Sequence, residues 1–247
     1  MHPFPHGYSH DTRGDGAVVH KRYQGPLAAE RCSTERAVLS RLPATLPVPR
    51  LLAPPAAKSH LPAPPAAEGQ LLAPPAAGGH LLVMAHLAGV HGQDLMQAGH
   101  TGAVLFSCGA MLRRLQREVD AAAVVPGAPP GSVLVHGDFG PNNMLFDPVT
   151  FAVTGLLDWE WAHPGDPVED LAWCEWIVRR HHPGETGHLP RLFAGYGERA
   201  PWPRRQAAAV ARCRQMLALV RTGPGAEHGE RRWRENLALT QGWTEAP

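Results

Sequence analysis

The stretch VLVHGDFGPNNMLFD, Val133 to Asp147, sets two short apolar runs on either side of a dense polar cluster. Val133–Val135 and Met144–Phe146 have the character of strands, with His136, Asp138, Asn142 and Asn143 between them. Asp147-Pro148-Val149-Thr150 reads as a turn, so Met144–Phe146 is expected to pair antiparallel with Ala152–Leu156. That pairing gathers the residues just beyond the strand ends. Asn143 comes to lie near Leu157 and Asp158, and Asp138, in the loop before Asn143, faces the same region. Two carboxylates and an amide thus meet at the open end of one hairpin.

Such a set suits an oxygen-rich site for a hard cation. Magnesium takes one or two protein carboxylates and leaves its other positions to water and substrate phosphates. Phosphoryl transfer asks little more of a protein: a carboxylate to orient and deprotonate the attacking hydroxyl, and a cation on the nucleotide. On this reading Asn143 and Asp158 hold Mg2+ and Asp138 acts on the acceptor hydroxyl. The plainer alternative is a strand-loop-strand whose Asp and Asn residues only cap turns. Chemistry is preferred because the loop, the hairpin and the apolar run ending in Asp158 must all agree.

The motifs HGDFGPNN and GLLDWEWAHPGDPVEDLAW resemble the aminoglycoside phosphotransferase and choline kinase group of protein-kinase-like small-molecule kinases. The resemblance implies an α+β, two-lobed protein-kinase-like fold, with a small β-rich N-lobe over residues 1–87 and a larger, mainly helical C-lobe over 88–247. It implies Asp138 as catalytic base, Asn143 and Asp158 on magnesium, His136 supporting the loop, and Asp170 in an architectural role beneath it. It also demands a strand lysine for the phosphates of ATP and a helix glutamate to hold that lysine. Lys21, one of two lysines in the chain, lies in the strand-like AVVHKRY of Ala17–Tyr23, and Glu35 lies in the helical ERCSTERAVLSRL of Glu30–Leu42. An ammonium is a compact charge suited to reach between phosphate oxygens. A solvated surface pair of Lys21 and Glu35 is the alternative.

GYSHDTRGDG, Gly7 to Gly16, falls where the turn over the phosphates belongs, without the GxGxxG pattern, and backbone amides near Ser9 and Thr12 are the expected phosphate contacts. A hinge near Ala85–Leu87 would meet the adenine. Leu51 to His80 is a ten-residue unit in three imperfect copies, LLAPPAAKSH, LPAPPAAEGQ and LLAPPAAGGH. Its paired prolines exclude a helix or central strand, so it reads as an inserted spacer of the N-lobe, with a proline-rich docking site as the alternative. Thr101–Val119 should be a helix with Leu105, Leu112 and Leu115 inward and Arg113, Arg114 and Arg117 outward.

Composition bounds the remaining possibilities. A net charge of +1 gives no field toward nucleic acid or anionic lipid, and no apolar run approaches a membrane span. The N-terminus lacks a signal-peptide core, and the four dispersed cysteines suit a reducing cytoplasm. Glu160, Asp166 and Glu169 are read either as attracting an amine-bearing substrate or as capping the helix that starts near Val168. Trp159 or Trp161 could flank a cationic acceptor, with core packing as the default. The expected activity is ATP-dependent phosphorylation of a small-molecule hydroxyl, an aminoglycoside-type antibiotic being the named acceptor. A metabolic kinase for choline, a sugar or an amino alcohol is the alternative within the class, and a catalytically silent nucleotide-binding module the alternative outside it.

Overall fold

The computed structural model describes residues 2–3, 10–52, 80–221 and 226–245. Ser9 and the repeat between Leu52 and His80 lie outside them. The N-terminal part is an antiparallel sheet in the order β1 (His2–Pro3), β2 (Asp11–Gly14), β3 (Val18–Arg22) and β4 (Leu81–Ala85), with α1 (Ala28–Leu39) between β3 and β4 in sequence. Asp15 and Gly16 turn β2 into β3, the Asp15 carboxylate accepting the N–H groups of Ala17 and Val18 at 3.0 and 2.9 Å. This tight hairpin draws Asp11–Gly14 into the ladder. The expected turn over Gly7–Gly16 is therefore in part a strand, and Thr12 stands opposite Lys21. Helix α1 starts two residues before the expected Glu30 and ends at Leu39, three residues before the expected Leu42, with the hydroxyl of the C-cap Ser40 donating to the Ala37 carbonyl at 2.8 Å.

After α1 the chain returns along β4 and reaches toward the C-terminal part. Leu52 N–H bonds Val83 O at 2.8 Å, and Leu156 N–H bonds Pro47 O at 2.7 Å. The second part runs β5 (Val90–His91), α2 (Gly92–Leu95), a single π-helical turn over Met96–His100, α3 (Thr101–Glu118) and α4 (Ala121–Val124). Four short strands follow: β6 (Val133–Val135), β7 (Met144–Phe146), β8 (Val153–Leu156) and β9 (His163–Gly165). The chain then continues as α5 (Val168–His181), α6 (Leu189–Tyr196), α7 (Trp202–Val220) and α8 (Ala226–Gly242). Strands β5, β7 and β8 form one small sheet, and β6 pairs with β9. The β7–β8 hairpin has the expected register, Met144 opposite Leu156.

Helix α3 carries the middle of the core. Leu105, Leu112 and Leu115 are fully buried while Arg113, Arg114 and Arg117 face solvent; each such leucine contributes about 1.5–3 kcal/mol by leaving water. Helices α3 and α6 cross closely at Gly109, where any Cβ would overlap the Leu192 carbonyl. A second apolar cluster joins α5 to α7 and α8 through Trp173, Trp176, Ile177 and Cys213, with Trp233 against it. All four cysteines are free and buried. Among the described residues no helix is long and apolar enough to cross a membrane.

Candidate active site

The loop between β6 and β7 is held from below by α5. Asp170, almost fully buried in the first turn of α5, accepts the backbone N–H groups of His136 and Gly137 at 2.7 and 2.9 Å. Burial pushes its carboxyl up against the pull of those donors and of His136. His136, also buried, donates from Nε2 to Leu157 O at 2.7 Å and accepts Asp138 N–H on Nδ1 at 3.2 Å. These bonds fix the Nε2–H tautomer and clamp the loop to the end of β8. Gly137 has φ 83°, and a Cβ there would strike the Trp161 carbonyl, so a side chain is excluded twice over. Replacing Asp170 by Ala would leave two buried N–H donors unpaired. We expect a loss of about 2–4 kcal/mol in urea unfolding, together with lower turnover as the loop loosens.

The loop presents Asp138 and Asn143 together. Asn143 Nδ2 donates to Asp138 O and to Asp138 Oδ2, both at 2.8 Å, and Trp173 Nε1 donates to Asp138 Oδ1 at 2.8 Å. The amide nitrogen of Asn143 is thereby spent, which leaves its Oδ1 for a ligand. Leu157 N–H bonds Asn143 O at 2.9 Å, continuing the hairpin to its open end. Asp158 follows in the left-handed region at φ 64°, with its side chain 46% exposed. Asp tolerates this region better than most residues, and such outliers concentrate where geometry serves a site.

From the other side comes Lys21, 2% exposed. Its Nζ lies 2.6 Å from Glu35 Oε2, 2.8 Å from Asp158 Oδ1 and 3.7 Å from Glu160 Oε2. Burial pushes the ammonium pKa down, but the three carboxylates outweigh burial and hold it above its ordinary value. Tyr23 also donates to Glu35. Glu160 in turn is bound by Arg31 and His10, each at 2.6 Å. Burial raises the Glu160 carboxyl, yet the His10 hydrogen bond and the Lys21 and Arg31 charges win and bring it to about 2. A depressed carboxyl stabilises the fold above its unfolded value and loses that contribution as pH falls toward about 2. Glu160→Gln should therefore destabilise the chain by about 3 kcal/mol at pH 7, a gap that urea titrations should find narrowing between pH 4.5 and pH 2.

Lys21, Glu35, Asn143 and Asp158 line one cavity of about 440 Å³ together with Met84, Ala85 and Leu87. The amides of Ala85 and His86 bond Arg50 O and Ala17 O, at 2.8 and 2.9 Å.

Residues 118–209, which span this loop, the hairpin and α5, match the model of the phosphotransferase enzyme family. Around it, the chain shares its fold with solved aminoglycoside and macrolide phosphotransferases. The GDP complex of wild-type aminoglycoside 2'-phosphotransferase-IIIa superposes with a TM-score of 0.65 at 12% identity, over 97% of this chain and 91% of that one. Macrolide 2'-phosphotransferase from Brachybacterium faecium gives 0.54 at 19% identity, over 98% and 91%. In sequence, viomycin phosphotransferase of Streptomyces vinaceus is 39% identical over 61 residues, 24% of this chain and 21% of that protein. The chain matches less than half the length of the curated relatives it resembles.

Lys21, Glu35, Asn143 and Asp158 line the one cavity, and Asp138 joins them through its hydrogen bond from Asn143 at 2.8 Å. Thr12, Ala85 and Leu87 line the cavity, Thr12 from a strand instead of a loop. Ser9 lies outside the described residues. Magnesium fits the donor set: the free Asn143 Oδ1 and the half-exposed Asp158 carboxylate are hard oxygens on one wall of the cavity, and two protein ligands suffice for this ion. Three participants went unread in sequence, His10, Tyr23 and Arg31, and Glu160 was read for a different role. Two of them carried a signal. Tyr23 shares a strand face with Lys21 by period two, and Arg31 shares a helix face with Glu35 by spacing of four.

The acidic run after Asp158 has other duties than drawing an amine. Glu160 is buried against Arg31; Asp166 caps α5 through Val168 N–H at 2.9 Å and pairs with Arg204; Glu169 pairs with His163 at 3.1 Å. Trp159 is fully buried, donating to Leu156 O at 3.0 Å, and Trp161 is covered by the Arg31 and Arg212 guanidiniums.

Proposed function

We propose that the chain transfers the γ-phosphoryl group of ATP to a hydroxyl of a small molecule. The observation that carries this reading is the convergence of Lys21, Asn143 and Asp158 on one cleft between the N-terminal sheet and the β7–β8 hairpin, with Lys21 at 2.8 Å from Asp158 and with Asp138 held beside it by Asn143 at 2.8 Å. The cleft divides an N-lobe of residues 1–87 from a C-lobe of residues 88–247. Adenine lies along Ala85–Leu87, where Leu87 N–H has no hydrogen bond among the described residues and can serve the base edge. Lys21 binds the α- and β-phosphates in exchange for its Asp158 contact and keeps Glu35 as its anchor.

Asn143 and Asp158 hold magnesium, which when bound neutralises charge on the transferring phosphates. Asp138 orients the acceptor hydroxyl with the lone pairs that Trp173 and Asn143 leave unused. The hydroxyl oxygen bonds to the γ-phosphorus, the bond from that phosphorus to the β,γ-bridging oxygen breaks, Asp138 takes the hydroxyl proton, and ADP leaves. Its source of ATP is the cytoplasm.

Aminoglycoside-type antibiotics are one candidate class of acceptor, and choline, sugars and amino alcohols another. ADP release with Mg2+ and either ATP or GTP, across these classes, tests the reading. Acceptor-dependent ADP release that Asp138→Asn removes supports it. Nucleotide binding with no release across the panel supports a silent nucleotide-binding module instead.

A further inference from the structure

Beside the Asp138 loop a second cavity of about 340 Å³ opens, with Gly137 and Trp173 on one wall. Its charged groups are matched within the chain, with one exception. His163 pairs with Glu169 at 3.1 Å, Asp166 with Arg204 at 2.8 Å, and Asp170 holds two backbone N–H groups. Arg212, from α7, has no ion pair among the described residues.

Its guanidinium is nonetheless firmly placed. Cζ lies 5.3 Å from the Trp161 ring centre and 5.7 Å from that of Trp173, and NH1 donates to Gln215 Oε1 at 3.2 Å. Nε is buried with no partner. Nε and NH2 form one edge of the guanidinium, the edge on which an oxyanion accepts two parallel hydrogen bonds. Burial costs this cation, pulling its pKa down, with Asp138 the foremost of the charges opposing that shift. Trp173 ties the two together: its ring lies under Arg212 while its Nε1 donates to Asp138 at 2.8 Å.

An unsatisfied cation between indoles, one side chain away from the catalytic carboxylate, specifies what should bind there. We propose that the acceptor carries an oxyanionic group, a carboxylate or a phosphate, which pairs with the Nε/NH2 edge of Arg212 while the acceptor hydroxyl faces Asp138. This rests on the phosphotransferase reading and narrows its substrate class. A polycation is disfavoured by the same geometry, since the Trp161 face that could hold an ammonium already carries Arg31 and Arg212.

The test is ADP release by the full chain with Mg·ATP against three acceptor sets: hydroxycarboxylic acids, hydroxyl-bearing phosphate monoesters, and cationic amino alcohols with aminoglycosides. Turnover is expected in one of the two oxyanionic sets, and which one separates carboxylate from phosphate. For that acceptor Arg212→Gln should raise KM more than tenfold with a much smaller change in kcat, and Arg212→Lys should recover part of the loss. Turnover of the cationic set that Arg212→Gln leaves intact or improves overturns the proposal and leaves the kinase reading standing. If no set releases ADP, the kinase reading loses its support and binding decides the Arg212 site. Thermal-shift titrations with the same hydroxycarboxylates and phosphate monoesters should then stabilise the wild type and not Arg212→Gln. No shift in the wild type, or an equal shift in the variant, overturns it.

Discussion

Asp138→Asn should lower turnover by about 10²–10⁴-fold, the contribution typical of a positioned general base, while nucleotide binding persists. Both halves follow from where Asp138 stands. It touches neither Lys21 nor Glu35; its partners are Trp173 on Oδ1 and Asn143 on Oδ2, both at 2.8 Å. The amide of an Asn at this place cannot accept a proton from the acceptor hydroxyl. It also has one nitrogen where the carboxylate has an oxygen, so an NH2 must face either the Trp173 or the Asn143 donor. A modest fall in Tm is expected from that mismatch. Asp138→Ala, which brings no second donor, separates the two effects: it should lose turnover equally with a different Tm. ADP release measured on both variants with nucleotide affinity measured alongside decides the matter, and wild-type-like release in either variant sinks the base assignment.

Much of this was legible because the informative residues are local. HGDFGPNN, the turn at Asp147–Thr150 and the apolar run to Leu157 lie within 23 residues of one another, and a hairpin's register follows from its turn. The structure pairs Met144 with Leu156 as expected, and Asn143 O meets Leu157 N–H at 2.9 Å. Lys21 and Glu35 were picked out by the family resemblance, which demands a strand lysine held by a helix glutamate, and the structure pairs them at 2.6 Å. What the sequence hid was long-range. Glu160 lies 150 residues from His10 and 129 from Arg31. No pattern in either neighbourhood announces that pairing, and an acid among acids near a presumed substrate invites a surface role. Arg212 was hidden for the same reason. On α7 it is one arginine among several, and only the fold shows that it has no ion pair among the described residues.

The buried network also revises how the acids around Asp158 divide their work. Glu35 and Glu160 lie out of solvent, at 1% and 7% exposure, each with cationic partners from the N-terminal sheet or α1. Asp158 is half exposed. Only Asp158 can therefore exchange its protein partner for a ligand without stranding a buried charge. Charge pairs in dry surroundings are costly to break singly, which makes Glu35 and Glu160 parts of the scaffold and Asp158 the member that responds to nucleotide.

That division predicts an unequal outcome at Lys21. Lys21→Met removes the cation that would meet the phosphates, and the loss of a charge-assisted contact worth about 1.5–3 kcal/mol should raise the KM for nucleotide about 10- to 100-fold. It also removes the cation from three carboxylates. Asp158 can turn to water, and Glu160 keeps Arg31 and His10 at 2.6 Å. Glu35 keeps only Tyr23. The stranded charge is thus Glu35, and breaking a buried pair from one side costs about 3–5 kcal/mol of stability. Lys21→Met combined with Glu35→Gln should recover most of that stability, because the uncompensated carboxylate is gone, while nucleotide use stays as poor as in the single variant. Urea unfolding and KM for ATP, measured on the two single variants and the double, separate these effects. An unchanged KM in Lys21→Met would remove Lys21 from the phosphates, and a double variant no more stable than Lys21→Met would mean that the lost stability was packing and not charge.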